Sequence, residues 1–184
     1  MTERFIGHIG LGYWGKNILR NLYELNVLHT ACDVSEQALN AYRDQFPHVN
    51  YSTDYTELFR DPELKAITIA TPAATHYELV KKALLAGKDV FVEKPLALKT
   101  TEAEELVKIA EENKRILMVG HILRYHPAVI RLKELITSGT LGKVQYIYSN
   151  RLNIGKLRTE ENILWSFAPH DISVILMLTD EEPI

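Results

Sequence analysis

The chain has 184 residues, a formal net charge of −3 from 21 Lys+Arg against 24 Asp+Glu, and 46% hydrophobic residues. These proportions belong to a folded globular chain with room for one full domain and part of another, and they exclude disordered and collagen-like classes. With a pI near 6.2 and no basic stripe, the phosphate-neutralising surface of a nucleic-acid-binding protein is missing, and small molecules are the expected partners.

Taken in order, short β-rich runs at 5–9, 27–32, 66–70, 89–92 and 116–119 alternate with helix-length segments whose apolar residues recur at helical spacing. Ile18, Leu19, Leu22 and Leu25 mark the first such segment, and Leu79, Val80, Ala83 and Leu84 a later one. Strand, helix, strand, repeated, predicts βαβ units and a parallel sheet. Asp54-x-x-Glu57, Thr75-x-x-Glu78 and Thr101-x-x-Glu104 have the form of capping boxes at helix starts. Gly87 follows a run ending in Ala86 and suits the left-handed position just past a helix.

Near residue 121 the pattern changes. Residues 127–138 read as a helix closed by Gly139, residues 144–151 as a partly exposed strand, and 165–178 as a helix interrupted by Pro169. No internal repeat occurs. The reading gives a dinucleotide-binding domain over 1–122 and the incomplete start of a second domain over 123–184.

The single Cys32 cannot form an internal disulfide, no Cys/His spacing suggests zinc, and His121 with His126 lacks a third partner, so no metal is expected. The first residues run directly into the first strand with no signal-peptide stretch, and no run is long and apolar enough to span a membrane. A cytoplasmic location is expected. His8, inside the first strand, reads as a neutral core histidine and Cys32 as small buried packing. Lys81, Lys82 and residues 102–105 read as solvated helix faces.

Gly10-Leu11-Gly12-Tyr13-Trp14-Gly15 is a G-x-G-x-x-G between the first strand and the first helix. The first glycine permits the tight turn, the second lets a pyrophosphate approach the backbone, and the third lets helix and sheet pack closely, while the helix N-terminus offers N–H groups to the anion. Asp33 ends the second strand, where a carboxylate accepts from the ribose hydroxyls of NAD and repels the 2′-phosphate of NADP. NAD is therefore the expected cofactor, with NADP disfavoured.

Further motifs extend the pattern: Ala70-Thr71-Pro72-x-x-Thr75-His76, Val92-Glu93-Lys94-Pro95, Gly120-His121-x-x-Arg124-Tyr125-x-Pro127 and Ala168-Pro169-His170-Asp171-Ile172-Ser173. Together with the glycine loop they resemble the Gfo/Idh/MocA oxidoreductases, NAD(P)-dependent enzymes acting on sugars, inositols and sugar nucleotides. The loop's Tyr-Trp-Gly ending and the stretch from Leu164 to Ser173 resemble most the dehydrogenases of UDP-N-acetylhexosamines or their uronates.

The resemblance implies a Rossmann-type doubly wound sheet followed by an α+β domain with an open antiparallel sheet. It implies Lys94 and His170 as catalytic residues, facing each other across a cleft. Lys94 would polarise or protonate the substrate oxygen, and His170 would take the hydroxyl proton. Pro95 is cis in relatives. Gly10, Gly12, Tyr13, Trp14, Gly15, Asp33, Thr71, Pro72, His76, Glu93, Lys94 and Arg124 match cofactor-binding positions. Lys94, Arg124, Asn153, Arg158, Asn162, Trp165 and His170 fall where relatives hold substrate. The family places an aspartate four residues before the histidine, and here that residue is Ser166. A serine keeps a hydrogen bond but loses the charge that would raise the basicity of the imidazole.

Assembly into a dimer or tetramer through the second domain is implied as well. Two other readings stay open: an NAD-binding module without catalysis, and a related enzyme of a non-sugar carbonyl or diol.

Overall fold

The computed structural model describes residues 4–150, 152 and 163–181. The chain divides into two compact units, Met1–Val119 and Gly120–Ile184.

The first unit is built on six parallel strands: β1 (Ile6–Ile9), β2 (Leu28–Cys32), β3 (Asn50–Ser52), β4 (Ala66–Ile69), β5 (Asp89–Val92) and β6 (Leu117–Val119). Their order is β3-β2-β1-β4-β5-β6. The helices are α1 (Gly15–Glu24), α2 (Glu36–Arg43), α3 (Tyr55–Arg60), α4 (His76–Leu85) and α5 (Thr100–Glu112). The chain runs outward from β1 to β3 and then returns to the other side of β1. Right-handed crossovers therefore set the two groups of helices on opposite faces of the sheet. The reversal between β1 and β4 is the switch point, where the strand ends diverge and leave a crevice.

Two buried clusters hold this arrangement. Leu11, Leu19, Leu22, Leu28, Ala31, Leu39 and Val49 form one. Leu58, Ile67, Ile69, Val80, Leu84, Val90, Val92 and Leu106 dominate the other. Strands that read as continuous apolar runs are covered on both faces, as a parallel sheet requires. Lys88 is buried too, and its ammonium donates to the carbonyls of Asp61 (2.5 Å) and Leu64 (2.6 Å), closing a helix-to-strand turn with a charge.

The sequence pattern does not predict β3, because three polar-flanked residues carry no periodicity. It exists because Thr30, Ala31 and Cys32 of β2 supply a hydrogen-bonding edge. The capping boxes fare differently. The Asp54 side chain caps α3 through the N–H of Thr56, while Glu57 turns to the Ser52 hydroxyl (2.5 Å). Thr75 bonds Thr71 (2.7 Å) and the Pro72 carbonyl (2.8 Å), and α5 starts at Thr100 behind a non-capping Lys99. Neither of these last two forms the expected box, because nearer partners take the hydroxyl or the boundary shifts by one residue. Gly87 has φ +74° and its N–H reaches Leu84 O, as expected for the position after α4.

The solvated helix faces also carry pairs that join one helix to the next. The Lys81 ammonium lies 2.6 Å from Glu105, whose other oxygen accepts from the Tyr77 hydroxyl at 2.5 Å, so this triad ties α4 to α5. Lys99 pairs with Glu102 at 2.9 Å, and Lys82 lies over the Tyr55 ring.

The second unit contains α6 (Pro127–Thr137) and α7 (Ile163–Thr179), preceded by a 3₁₀ turn at Ile122–Tyr125. His126 caps α6 by accepting the Ala128 N–H (3.2 Å). α7 runs through Pro169 rather than stopping there. Proline removes one N–H from the ladder, and a helix of this length absorbs the loss. Residues 144–150 form no strand, and Tyr146 and Tyr148 are exposed. β-rich composition makes a strand only where a second strand completes its hydrogen bonds, and the described residues of this unit contain none. Among the described residues no helix is long and apolar enough to cross a membrane.

Candidate functional site

The glycine loop leaves β1 and enters α1 at the switch point. Gly10 has φ +99°, and a Cβ there would lie 2.7 Å from the Ala70 carbonyl oxygen. A Cβ on Gly15 would meet the Gly10 carbonyl at 1.8 Å. These two glycines are required by the protein itself. Gly12 is different: a Cβ there would meet nothing within 4 Å. The space above it is open, and the N–H groups of Gly12 and Tyr13 donate to no acceptor among the described residues. An anion with oxygen acceptors fits this cradle at the N-terminus of α1.

His8 underlies the loop. Its Nε2 lies 3.1 Å from the Gly15 carbonyl and its Nδ1 2.7 Å from the Thr68 hydroxyl. A carbonyl only accepts, so Nε2 carries the hydrogen and Nδ1 accepts from threonine. Complete burial pushes its pKa down to about 4, which keeps the ring neutral as expected. Because the folded pKa lies below the ordinary 6.5, the stability linked to His8 is intact above pH 6.5 and drains away as pH falls toward 4. The expected loss is about 3 kcal/mol. Urea unfolding at pH 7 and 4.5 checks this, with His8→Val losing less on acidification than the wild type.

Asp33 ends β2. Its Oδ2 accepts the Leu11 N–H at 2.7 Å and its Oδ1 the Ser35 N–H at 2.9 Å, so the carboxylate is fixed against the glycine loop. Each oxygen retains lone-pair capacity for ribose hydroxyls. The neighbouring Cys32 is buried and its thiol is pushed up to about 12 by burial and by the nearby carboxylates, so it supplies no thiolate.

Across the switch point stand the ends of β4 and β5. Thr71 and Pro72 follow β4, and Glu93, Lys94 and Pro95 follow β5, with the Lys94–Pro95 peptide cis. The Trp14 indole N–H donates to Glu93 at 2.8 Å. Burial pushes the Glu93 carboxyl above its ordinary range, against the Trp14 bond and the charge and N–H of Lys94. His76, at a position matched to cofactor binding, is buried. Its ring is 1% exposed, with Nδ1 2.7 Å from the Pro95 carbonyl and Nε2 2.9 Å from that of Thr71. Carbonyls only accept, so the neutral ring donates to one of them and packs against the other, which places His76 between the two loops.

The first unit thus brings together Gly10, Gly12, Tyr13, Trp14, Gly15, Asp33, Thr71, Pro72, Glu93 and Lys94 along one edge of the sheet. Lys16, in the first turn of α1 and over the Tyr13 ring (5.6 Å), adds a cation there. The sequence reading passed over it, although a lysine directly after the third glycine was the available signal.

The remaining candidates belong to the second unit. Arg124 lies on the 3₁₀ turn, and Trp165 and His170 are half-buried on α7. The His170 carbonyl accepts from the Ser173 hydroxyl (2.8 Å), and Asp171 accepts from the Ser149 hydroxyl (2.9 Å). Asn153, Arg158 and Asn162 lie outside the described residues.

A parallel sheet with this strand order, a glycine loop at its switch point and an acidic residue ending β2 define a dinucleotide-binding protein. The profile of the Gfo/Idh/MocA family, described as an oxidoreductase family with an NAD-binding Rossmann fold, matches residues 5–121. The chain belongs to that family. UDP-N-acetylglucosamine 3-dehydrogenase of Acidithiobacillus ferrooxidans is 34% identical over 123 residues, covering 66% of this chain and 38% of the relative. Inositol 2-dehydrogenase/D-chiro-inositol 3-dehydrogenase of Lactiplantibacillus plantarum is 34% identical over 143 residues, 75% of this chain and 41% of the relative. Among solved structures, a probable dehydrogenase from Thermotoga maritima superposes with a TM-score of 0.83 at 27% identity, covering 96% of this chain and 55% of that one. GenD2 from gentamicin A biosynthesis, solved in complex with NAD, superposes with a TM-score of 0.69 at 28% identity, over 76% of this chain and 41% of that one. The chain spans well under two thirds of the length of these curated relatives.

Proposed function

We propose that the chain is the cofactor-binding part, with the start of the substrate-binding part, of an NAD-dependent dehydrogenase acting on a hydroxyl of a sugar or sugar nucleotide. The single observation that carries this reading is the open cradle over Gly12 with the Asp33 carboxylate anchored beside it. The relatives named for UDP-N-acetylglucosamine and inositol support the substrate class.

NAD, when bound, supplies the hydride acceptor. The N–H groups of Gly12 and Tyr13, with the Lys16 ammonium, would hold the pyrophosphate, and Asp33 would take the adenosine ribose hydroxyls. Lys94 donates to the reacting oxygen and stabilises the alkoxide as it forms, and His170 accepts the hydroxyl proton. Arg124 and Trp165, with Asn153, Arg158 and Asn162, contribute contacts to substrate. Self-association as a dimer or tetramer through the second unit belongs to the same reading, supported by the exposed Leu132, Ile172 and Leu176, as does a cytoplasmic setting.

Titration with NADH and NADPH, followed by nicotinamide fluorescence, tests the cofactor. NADH binds tightly and NADPH weakly, and Asp33→Ser narrows the difference; equal affinity in the wild type overturns the role of Asp33. A second reading, an NAD-binding module without catalysis, is favoured by Ser166 alone. Ser166→Asp distinguishes the two, since a large gain in rate marks a weakened enzyme and no gain with NAD still bound marks the module.

A further inference from the structure

Trp14 and Glu93 are 79 positions apart. The glycine loop follows β1 and Glu93 follows β5, and β4 lies between those strands. The indole therefore bridges the exit of β4, on the opposite side of the switch point from Asp33. If the adenosine lies at β2 and the pyrophosphate at Gly12, the dinucleotide continues toward the exits of β4 and β5. Its nicotinamide half then arrives at Trp14 and Glu93.

Oxidised and reduced dinucleotides differ at that end by one positive charge on the ring. A fixed carboxylate beside the ring favours the cationic form, while its effects on the rest of the molecule are nearly the same for both forms. We propose that Trp14 is a positioning residue whose indole N–H fixes the Glu93 carboxylate beside the nicotinamide half, so that the protein holds the oxidised, cationic dinucleotide in preference to the reduced one. The inference rests on the reading of NAD as the ligand.

The charged groups facing Glu93 set its pH behaviour. Burial favours the neutral acid, while the Trp14 N–H, the Lys94 N–H and the Lys94 ammonium favour the anion. The preference for the oxidised form is therefore present above the Glu93 titration and fades as pH falls through it. Removing the indole donor moves that fading to higher pH.

Calorimetric dissociation constants for NAD⁺ and NADH, measured from pH 5.5 to 8.5, test this on the wild type, Trp14→Phe and Glu93→Gln. At pH 8 the wild type favours NAD⁺ by about fivefold. Trp14→Phe keeps an aromatic ring, and in it the ratio shrinks and the pH at which it falls rises, whatever the change in absolute affinity. Glu93→Gln flattens the ratio at every pH. An unchanged ratio in Glu93→Gln overturns the proposal, and a ratio lost there but kept in Trp14→Phe removes Trp14 from it. A second readout needs no cofactor: in a Trp165→Phe background the fluorescence of Trp14 follows pH as its acceptor titrates, and Glu93→Gln abolishes that dependence. If neither nucleotide binds while this signal persists, the NAD reading has failed and the Trp14–Glu93 pairing has not; a signal that ignores pH overturns the pairing.

Discussion

Gly12→Ala melts at the wild-type temperature and binds NADH at least about tenfold more weakly, whereas Gly15→Ala loses roughly 3 kcal/mol of stability before any ligand is added. The contrast follows from what each added methyl would meet. At Gly15 it would be driven into the Gly10 carbonyl at 1.8 Å, and that oxygen belongs to backbone that cannot swing aside. At Gly12 the methyl enters open space, so only a molecule pressed against the loop feels it. Thermal melts and fluorescence titrations on the two variants separate the effects. Wild-type NADH affinity in Gly12→Ala would mean that the dinucleotide does not lie on this loop.

Lys94→Ala lowers turnover by roughly 10²–10⁴-fold while NADH affinity stays near the wild-type value. The lysine's charge acts on the reacting oxygen, while the glycine loop and Asp33 hold most of the dinucleotide, so its loss falls mainly on kcat. Lys94→Arg does not rescue, because a planar guanidinium cannot place a compact charge at the same point. Steady-state rates with UDP-sugars and inositols, set beside the titration, give the answer; full activity in Lys94→Ala removes the residue from the mechanism.

The parts of this site that were legible in the sequence are those fixed by local chemistry. Gly10-x-Gly12-x-x-Gly15, Asp33 and Glu93-Lys94-Pro95 each sit at a strand end, and β1, β2, β4, β5 and β6 carry enough apolar residues to announce themselves. What escaped depends on partners distant in sequence. Asn50, Tyr51 and Ser52 become a strand only because β2 offers an edge. Residues 144–150, more β-like in composition, form none because nothing within their described unit pairs with them. Thr75 and Thr101 had the spacing of caps, yet spacing says nothing about the competing carbonyl of Pro72 or about where α5 starts. The Trp14–Glu93 bond and the pairing of Lys81 with Glu105 join segments that only the crossovers of a doubly wound sheet bring side by side.

The buried imidazole of His76 sits between the carbonyls of Thr71 and Pro95, and as a neutral ring donates to one of them while packing against the other. The segments leaving β4 and β5 thereby become one mechanical part. A substitution at His76 is therefore felt at both strand ends.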